Sequence, residues 1–269
     1  MNNINTEIFT EYHFRQREDR RRFLFSETWQ QNLPQVFEDV PGYYKMGNII
    51  ASFGIWELWV HQFMGLIHVQ PYDHVLDIAA GTNDLRLRLL RRDATLQITA
   101  IDRSKEMQER GQFQARKQNF VIESYIQDVH CLPFPDDSFD AVTIQAASRH
   151  LQLDKLFPEI RRVLKPGGWF YHCDMLRPNY QVIQAAYLEF LKLSVALTAR
   201  LFGASKISRG CNVYFSDAIK EFYTPEELSH VMKICGFSNV KCNKSIWGGM
   251  VGFHSAQKSC SEQFAKPPT

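Results

Sequence analysis

The sequence predicts an open α/β fold: a mostly parallel seven-stranded sheet closed by an antiparallel C-terminal hairpin, with helices on both faces. Two observations carry this. From His74 onward short apolar runs alternate with amphipathic stretches, the pattern of parallel strands joined by crossover helices. Strong breakers bound those runs, PFPDDS before one and KPGG before the next. At 269 residues, 45% of them hydrophobic, the chain is long enough for one large domain.

Taken in order, residues 1–70 read as a helical extension that would also cover a substrate. An arginine-rich stretch (Arg15, Arg17, Arg20, Arg21, Arg22) precedes an aromatic run from Tyr43 to Phe63. Glu18 and Asp19 interrupt the basic stretch, so it reads as a solvated helix face rather than a membrane contact. Strands follow at 74–80, 97–102, 121–127, 140–145 and 168–174, with helices at 84–92, 104–118 and 154–164 between them. A long helix over 180–202, within an insertion at 179–222, would form a helical lid. TPEEL (224–228) then opens another helix, with Thr224 as N-cap, Pro225 at the first helical position and Glu227 completing a capping box. Gly236 ends it. Strands at 238–243 and 249–256 close the sheet as a hairpin, so the main domain spans 71–256 and 257–269 is left as a flexible tail.

Charge and cysteines exclude several classes of function. With 31 basic and 29 acidic residues the net charge is only +2, which gives no electrostatic reason to expect nucleic acid and favours a small molecule. Six scattered cysteines never form Cys-x-x-Cys, arguing against a zinc site or a disulfide scaffold and for reduced thiols in a cytoplasmic protein. No metal is implied. The first residues are too charged for a signal peptide. The longest apolar stretch, 180–202, is broken by Glu189, Lys192 and Arg200, so no transmembrane segment is expected. Peripheral membrane contact and homo-oligomerisation stay open.

In open α/β sheets ligands bind at the carboxyl ends of the strands. The first strand ends in Asp77-Ile78-Ala79-Ala80-Gly81-Thr82-Asn83-Asp84, a turn of small residues feeding a helix. A dinucleotide would need Gly-x-Gly-x-x-Gly to approach the backbone with its pyrophosphate, and Gly81 is the single glycine here. A cofactor without phosphates relies instead on carboxylates, which meet an ammonium group and ribose hydroxyls. Asp77 and Asp84 suit the former. Asp102, ending the second strand 25 positions after Asp77, suits the ribose; its plainer role is to sit beside Ser104 at a helix N-cap. Asp128, ending the third strand, could accept from an adenine amino group with Val129 against the ring, although Asp before a turn is commonplace. Ala79, Thr82 and Arg103 complete this set.

These residues resemble those of the ubiquinone/menaquinone biosynthesis (UbiE-like) methyltransferases, over about 36–254. The stretch VFEDVPGYYKMGNIIASFGIWELW (36–59) resembles that family's N-terminal motif, keeping Tyr44, Asn48, Ser52-Phe53-Gly54 and Trp59. VLDIAAGTND (75–84) resembles its cofactor loop. LPFPDDSFDAVTI (132–144) and RRVLKPGG (161–168) are shared broadly among small-molecule methyltransferases, whereas FYTPEELSHVMKICGFSNV (222–240) with GGMVGFH (248–254) is narrower. The resemblance implies a Rossmann-like class I methyltransferase fold, with S-adenosyl-L-methionine as cofactor and S-adenosyl-L-homocysteine as product. It places cofactor contacts on Thr82, Asp102, Asp128, Val129 and Gln145. Several positions depart from the family: Asn83 replaces a glycine, Gly47 a methionine, Trp56 a histidine, His150 an asparagine and Ala218 a serine. Asparagine is the best-tolerated substitute where a left-handed backbone is required. The cofactor loop therefore looks kept and the substrate pocket rebuilt.

Methyl transfer from a sulfonium needs alignment and desolvation more than a strong acid. A carbon nucleophile on a quinol or phenol must also be activated. His150 has the right ordinary pKa for a general base, and Arg149 could stabilise a phenolate. A packed histidine and a surface ion pair are the plainer alternatives. Tyr44 and Tyr214 match family tyrosines expected near the substrate, and Phe53 and Trp56 would line an aromatic cover; core packing explains such residues equally well. The resulting expectation is a methyltransferase of a small aromatic, quinol-like or phenolic substrate, acting on carbon. An O-, N- or C-methyltransferase of a specialised metabolite, or a cofactor-binding relative that does not transfer methyl groups, remain alternatives.

Overall fold

The computed structural model describes residues 9–244 and 248–260. Seven strands form one sheet: β1 (His74–Ile78), β2 (Gln97–Asp102), β3 (Glu123–Ile126), β4 (Phe139–Gln145), β5 (Leu164–Met175), β6 (Ser238–Lys244) and β7 (Val251–Gln257). Their order is β3-β2-β1-β4-β5-β7-β6. The first five run parallel, and β7 inserts antiparallel between β5 and β6. The winding reverses beside β1, where ligands bind in such sheets.

Alternation along the strands supplies two cores. Leu76, Ile78, Val142, Ile144 and Phe170 point to one face, covered by α7 (Leu153–Val163) and α11 (Pro225–Ile234). Val75, Ala141, Tyr171 and Cys173 point to the other, against α4 (Trp56–Leu66) and α5 (Asp84–Arg92). On that second face the same alternation places Asp77 and Thr143, polar residues buried inside the sheet.

The element limits largely follow the sequence pattern. α5 and β2 have the predicted bounds, and Thr224 and Glu227 form the predicted capping box on α11. β1 stops at Ile78 rather than residue 80 because Ala79 turns to a φ of 51°. β3 likewise covers only Glu123–Ile126 within the predicted 121–127. KPGG does not precede β5 but lies within it, accommodated by an irregularity in its pairing with β4. Residues 261–269 of the expected tail lie outside the described residues.

One expectation is corrected in part. On the arginine-rich helix α1 (Glu11–Glu27) Arg15 and Arg20 do face solvent, but Arg21 is fully buried, and Arg17, Arg20 and Arg22 pair with Glu227, Glu221 and Asp154. Arg21 pairs with Glu18 and donates to the carbonyls of Arg149 and Leu151, each at 3.0 Å. Glu18 in turn accepts from the Leu153 amide and the Tyr223 hydroxyl. α8 (Gln181–Leu201) is long and apolar enough to cross a membrane by length and composition alone, with a mean hydropathy of 1.4 over 18 residues, a test that a packed core helix passes equally. Arg200 sits near its end, so such a window escapes one of the three interrupting charges. In this fold α8 packs on α3 (Tyr44–Ala51) and α10 (Asn212–Lys220).

Candidate active site

Two cavities meet at the carboxyl ends of β1 and β4. The larger, of about 310 Å³, is lined by Asp77 of β1, by Ala79, Gly81 and Thr82 of the loop after it and by Asp84 at the start of α5, with Gln145 and Trp56. The smaller, of about 110 Å³, is mostly apolar and is walled by the short helix α2 (Leu33–Asp39), α3, α8 and the turn after β4. Tyr44 and Asn48 line both.

The loop after β1 is strained and closely tied. Ala79, Gly81 and Asn83 have φ of 51°, 52° and 66°, a left-handed series that brings backbone amides around the turn. Asp102 Oδ2 accepts from the Gly81 amide and Oδ1 from the Ser104 amide, both at 2.8 Å. Ser104 itself caps the following helix α6 (Lys105–Lys117) by accepting from Met107. Beneath the loop, Thr143 Oγ1 donates to Asp77 at 2.6 Å. The fully buried Arg86 lies 3.5 Å from Asp77 and donates to Ala80 and Asn83. Burial pulls Arg86 down to about 10 and raises Asp77, each opposed by the other's charge.

Not every residue of the cofactor set reaches this cavity. Asp102, Arg103, Asp128 and Val129 stand outside its lining. Arg103 donates to the Trp29 carbonyl. Asp128 is bonded to the amide and ring of His130, which holds it down at about 2, and Val129 is packed in the core. Gln145 does face the cavity, and its buried Nε2 has no hydrogen-bond partner. A cavity of this size, with left-handed loop amides, carboxylates at the ammonium end and an unsatisfied amide donor, fits S-adenosyl-L-methionine.

The apolar cavity receives Arg149, which is only 6% exposed. Burial opposes its charge, but its ion pair with Asp174 prevails and raises it. Asp174 also accepts from Ser148 Oγ at 2.7 Å and from the Arg149 amide at 3.1 Å, so the turn and guanidinium are set together. Tyr44 stays protonated, raised chiefly by burial.

The other expected substrate residues are placed elsewhere. His150 lines neither cavity: its Nδ1 lies 2.7 Å from the Tyr214 hydroxyl, which accepts from Trp29 Nε1. Nδ1 is engaged by Tyr214 and Nε2 is buried without a partner, so neither ring nitrogen faces a cavity. Burial, with Arg149 and Arg21 nearby, holds His150 well below its ordinary pKa. Tyr214 belongs to a separate buried cluster with Phe25 and Trp29. Phe53 is 47% exposed and stacks on Phe190, and Trp56 lines the larger cavity rather than the apolar one.

The sequence reading missed Asp174 and Arg86. Asp174 lies near the end of β5, so the strand-end logic applied to Asp77, Asp102 and Asp128 reaches it. Arg86 gave no signal in an arginine-rich helix, because its burial depends on a loop that only the fold brings over it.

Comparison with known proteins agrees with this geometry. The sequence model of the ubiE/COQ5 methyltransferase family matches residues 26–258. The ubiquinone/menaquinone biosynthesis C-methyltransferase UbiE of Francisella tularensis subsp. mediasiatica is 28% identical, covering 86% of this chain and 93% of its own. A demethylmenaquinone methyltransferase of Streptomyces avermitilis is 29% identical over 83% of this chain and 93% of its own. Among solved structures, a possible histamine N-methyltransferase from Thermotoga maritima superposes with a TM-score of 0.55 at 17% identity, covering 83% of this chain and 98% of that one. Phosphoethanolamine N-methyltransferase 2 of Haemonchus contortus, in complex with S-adenosyl-L-methionine, gives 0.57 at 16% identity over 77% of this chain, which spans 53% of that longer protein. At such identities these two show the fold alone.

Proposed function

The chain belongs to the ubiE/COQ5 methyltransferase family and is an S-adenosyl-L-methionine-dependent methyltransferase; from that premise we propose that it methylates a ring carbon of a small quinol-like or phenolic molecule seated in the apolar cavity. The observation that carries this reading is the junction of the two cavities at Tyr44 and Asn48, with Arg149 fixed in the apolar one.

Asp77, Gly81, Thr82, Asp84 and Gln145 would hold the cofactor's methionine end, and Asp102, at the end of β2 just beyond the cavity's lining, would reach its ribose. When bound, S-adenosyl-L-methionine supplies a methyl group to the ring carbon and leaves as S-adenosyl-L-homocysteine, while the ring gives up one proton. Arg149 favours the ionised hydroxyl of the acceptor, because a cation in an apolar cavity lowers the pKa of a nearby phenol and so raises electron density on the ring. Tyr44 remains a hydroxyl donor and orients that oxygen. The helices before residue 70 and the insertion at 179–222 cover the cavity and exclude water.

Incubating the protein with methyl-labelled S-adenosyl-L-methionine and a demethylated quinol tests this. Label on a ring carbon of the product is the expected outcome; label on oxygen, or none, counts against it.

A further inference from the structure

Gly47 lies in the middle of α3 and lines the apolar cavity. Its backbone does not require glycine: its φ is not in the left-handed region, and a Cβ built there would meet only Thr198 Cγ2, at an ordinary 3.8 Å. A glycine inside a helix weakens that helix relative to alanine. The chain thus gives up helix stability where no backbone constraint asks for it. Thr198, on α8, lines the same cavity and faces Gly47. What the missing side chain leaves is cavity space, bounded opposite by a threonine methyl.

The size of that space restricts its occupant. An apolar cavity of roughly 150 Å³ accepts a benzene ring, and this one measures about 110 Å³. At that size, and opening toward the cofactor cavity only at Tyr44 and Asn48, it gives a single ring a tight fit and leaves no room for a second fused one. Beside Gly47, the buried Asn48 Nδ2 lies against the Tyr44 hydroxyl, whose pKa it pulls down, without completing a hydrogen bond, so it can also donate to a ring hydroxyl. We propose that the acceptor site takes a single-ring phenol or hydroquinone and rejects fused two-ring ones, with Gly47 and Thr198 setting the limit. This rests on reading the apolar cavity as the acceptor site.

The test titrates the full chain, saturated with S-adenosyl-L-homocysteine, with phenol and with 1-naphthol by ligand-observed NMR. The wild type should bind phenol roughly tenfold more tightly than 1-naphthol, the scale on which a filled apolar pocket rejects added bulk. Gly47→Ala should raise Tm yet weaken phenol several-fold. Thr198→Ser, which loses only the methyl, should improve 1-naphthol several-fold. Equal binding of the two rings by the wild type overturns the single-ring limit, and unchanged phenol affinity in Gly47→Ala removes Gly47 from it. Because the readout is binding, failure of methyl transfer to either ring would count against the proposed function while leaving the size limit standing.

Discussion

Arg86 and Asp77 face each other 3.5 Å apart beneath the cofactor loop, with side-chain exposures of 0% and 4%. Breaking such a pair leaves one charge stranded without water, whereas replacing both partners by neutral groups does not. Arg86→Met should therefore destabilise the fold by about 3–5 kcal/mol in urea unfolding. Arg86→Met combined with Asp77→Asn should recover much of that loss. A single variant as stable as the wild type would show that the loop does not depend on this charge.

Asp102 has both carboxylate oxygens engaged by backbone amides, yet each oxygen keeps a further lone pair that can accept from a ribose hydroxyl. Asp102→Ala loses these acceptors and releases the Gly81 amide. Calorimetric affinity for S-adenosyl-L-homocysteine should fall at least roughly tenfold, the loss of one or two charge-assisted hydrogen bonds. Unchanged affinity would place the ribose elsewhere.

How far the sequence revealed these arrangements depends on the range of the interactions. The ends of β2 and β4, the α11 capping box and the small-residue turn at Gly81 are local and legible, whereas the left-handed turn at Ala79 that ends β1 early is not. Arg21 was misread because its burial comes from Glu18 together with carbonyls at Arg149 and Leu151, far along the chain. His150 followed the same course. A histidine after a strand end looks available until Tyr214, 64 residues later, takes its Nδ1. The apolar cavity was the least legible part, since its walls come from α2, α3, α8 and the β4 turn and share no sequence period.

Asp174 fixes Arg149 through its side chain and its backbone amide at once. Asp174→Asn keeps the shape but removes the charge that anchors the guanidinium. Methyl transfer should fall by roughly 10²-fold, the scale for loss of one preorganised electrostatic contact, with cofactor affinity little changed. Raising the pH should restore part of the rate if the lost function is stabilisation of the ionised acceptor; a flat pH profile would point to lost packing instead.

His254 sets an acid limit on stability. Buried in β7, it donates from Nε2 to the Pro225 carbonyl, and burial pulls its pKa down to about 4 from an ordinary 6.5. Between those values the unfolded chain takes up a proton that the folded one refuses. Stability is therefore intact above pH 6.5 and declines as pH falls toward 4, by roughly 3 kcal/mol from this residue. His254→Asn should be less stable at pH 7 but show a shallower decline between pH 6.5 and 4 in urea unfolding. An identical decline would assign the acid sensitivity to other groups, His172 first among them.

Asn83 and Gly111 should prove to be a matched pair. Asn83 takes the left-handed conformation at the N-cap of α5, and its side chain turns inward under Arg86 rather than capping the helix. There it occupies the space beside Gly111 on α6: a Cβ at residue 111 would lie 2.7 Å from both Asn83 Oδ1 and Nδ2. Gly111→Ala gains helix propensity of up to about 1 kcal/mol, but the overlap with a buried, hydrogen-bonded side chain costs about 1–3 kcal/mol. Alone it should be net destabilising. In an Asn83→Gly background the obstruction is gone, while glycine still accepts the left-handed backbone, so Gly111→Ala should become stabilising. A double-mutant cycle in urea would show this as a change of sign at residue 111. The same sign in both backgrounds would mean that α6 shifts to admit the methyl group, and that Asn83 and Gly111 are independent.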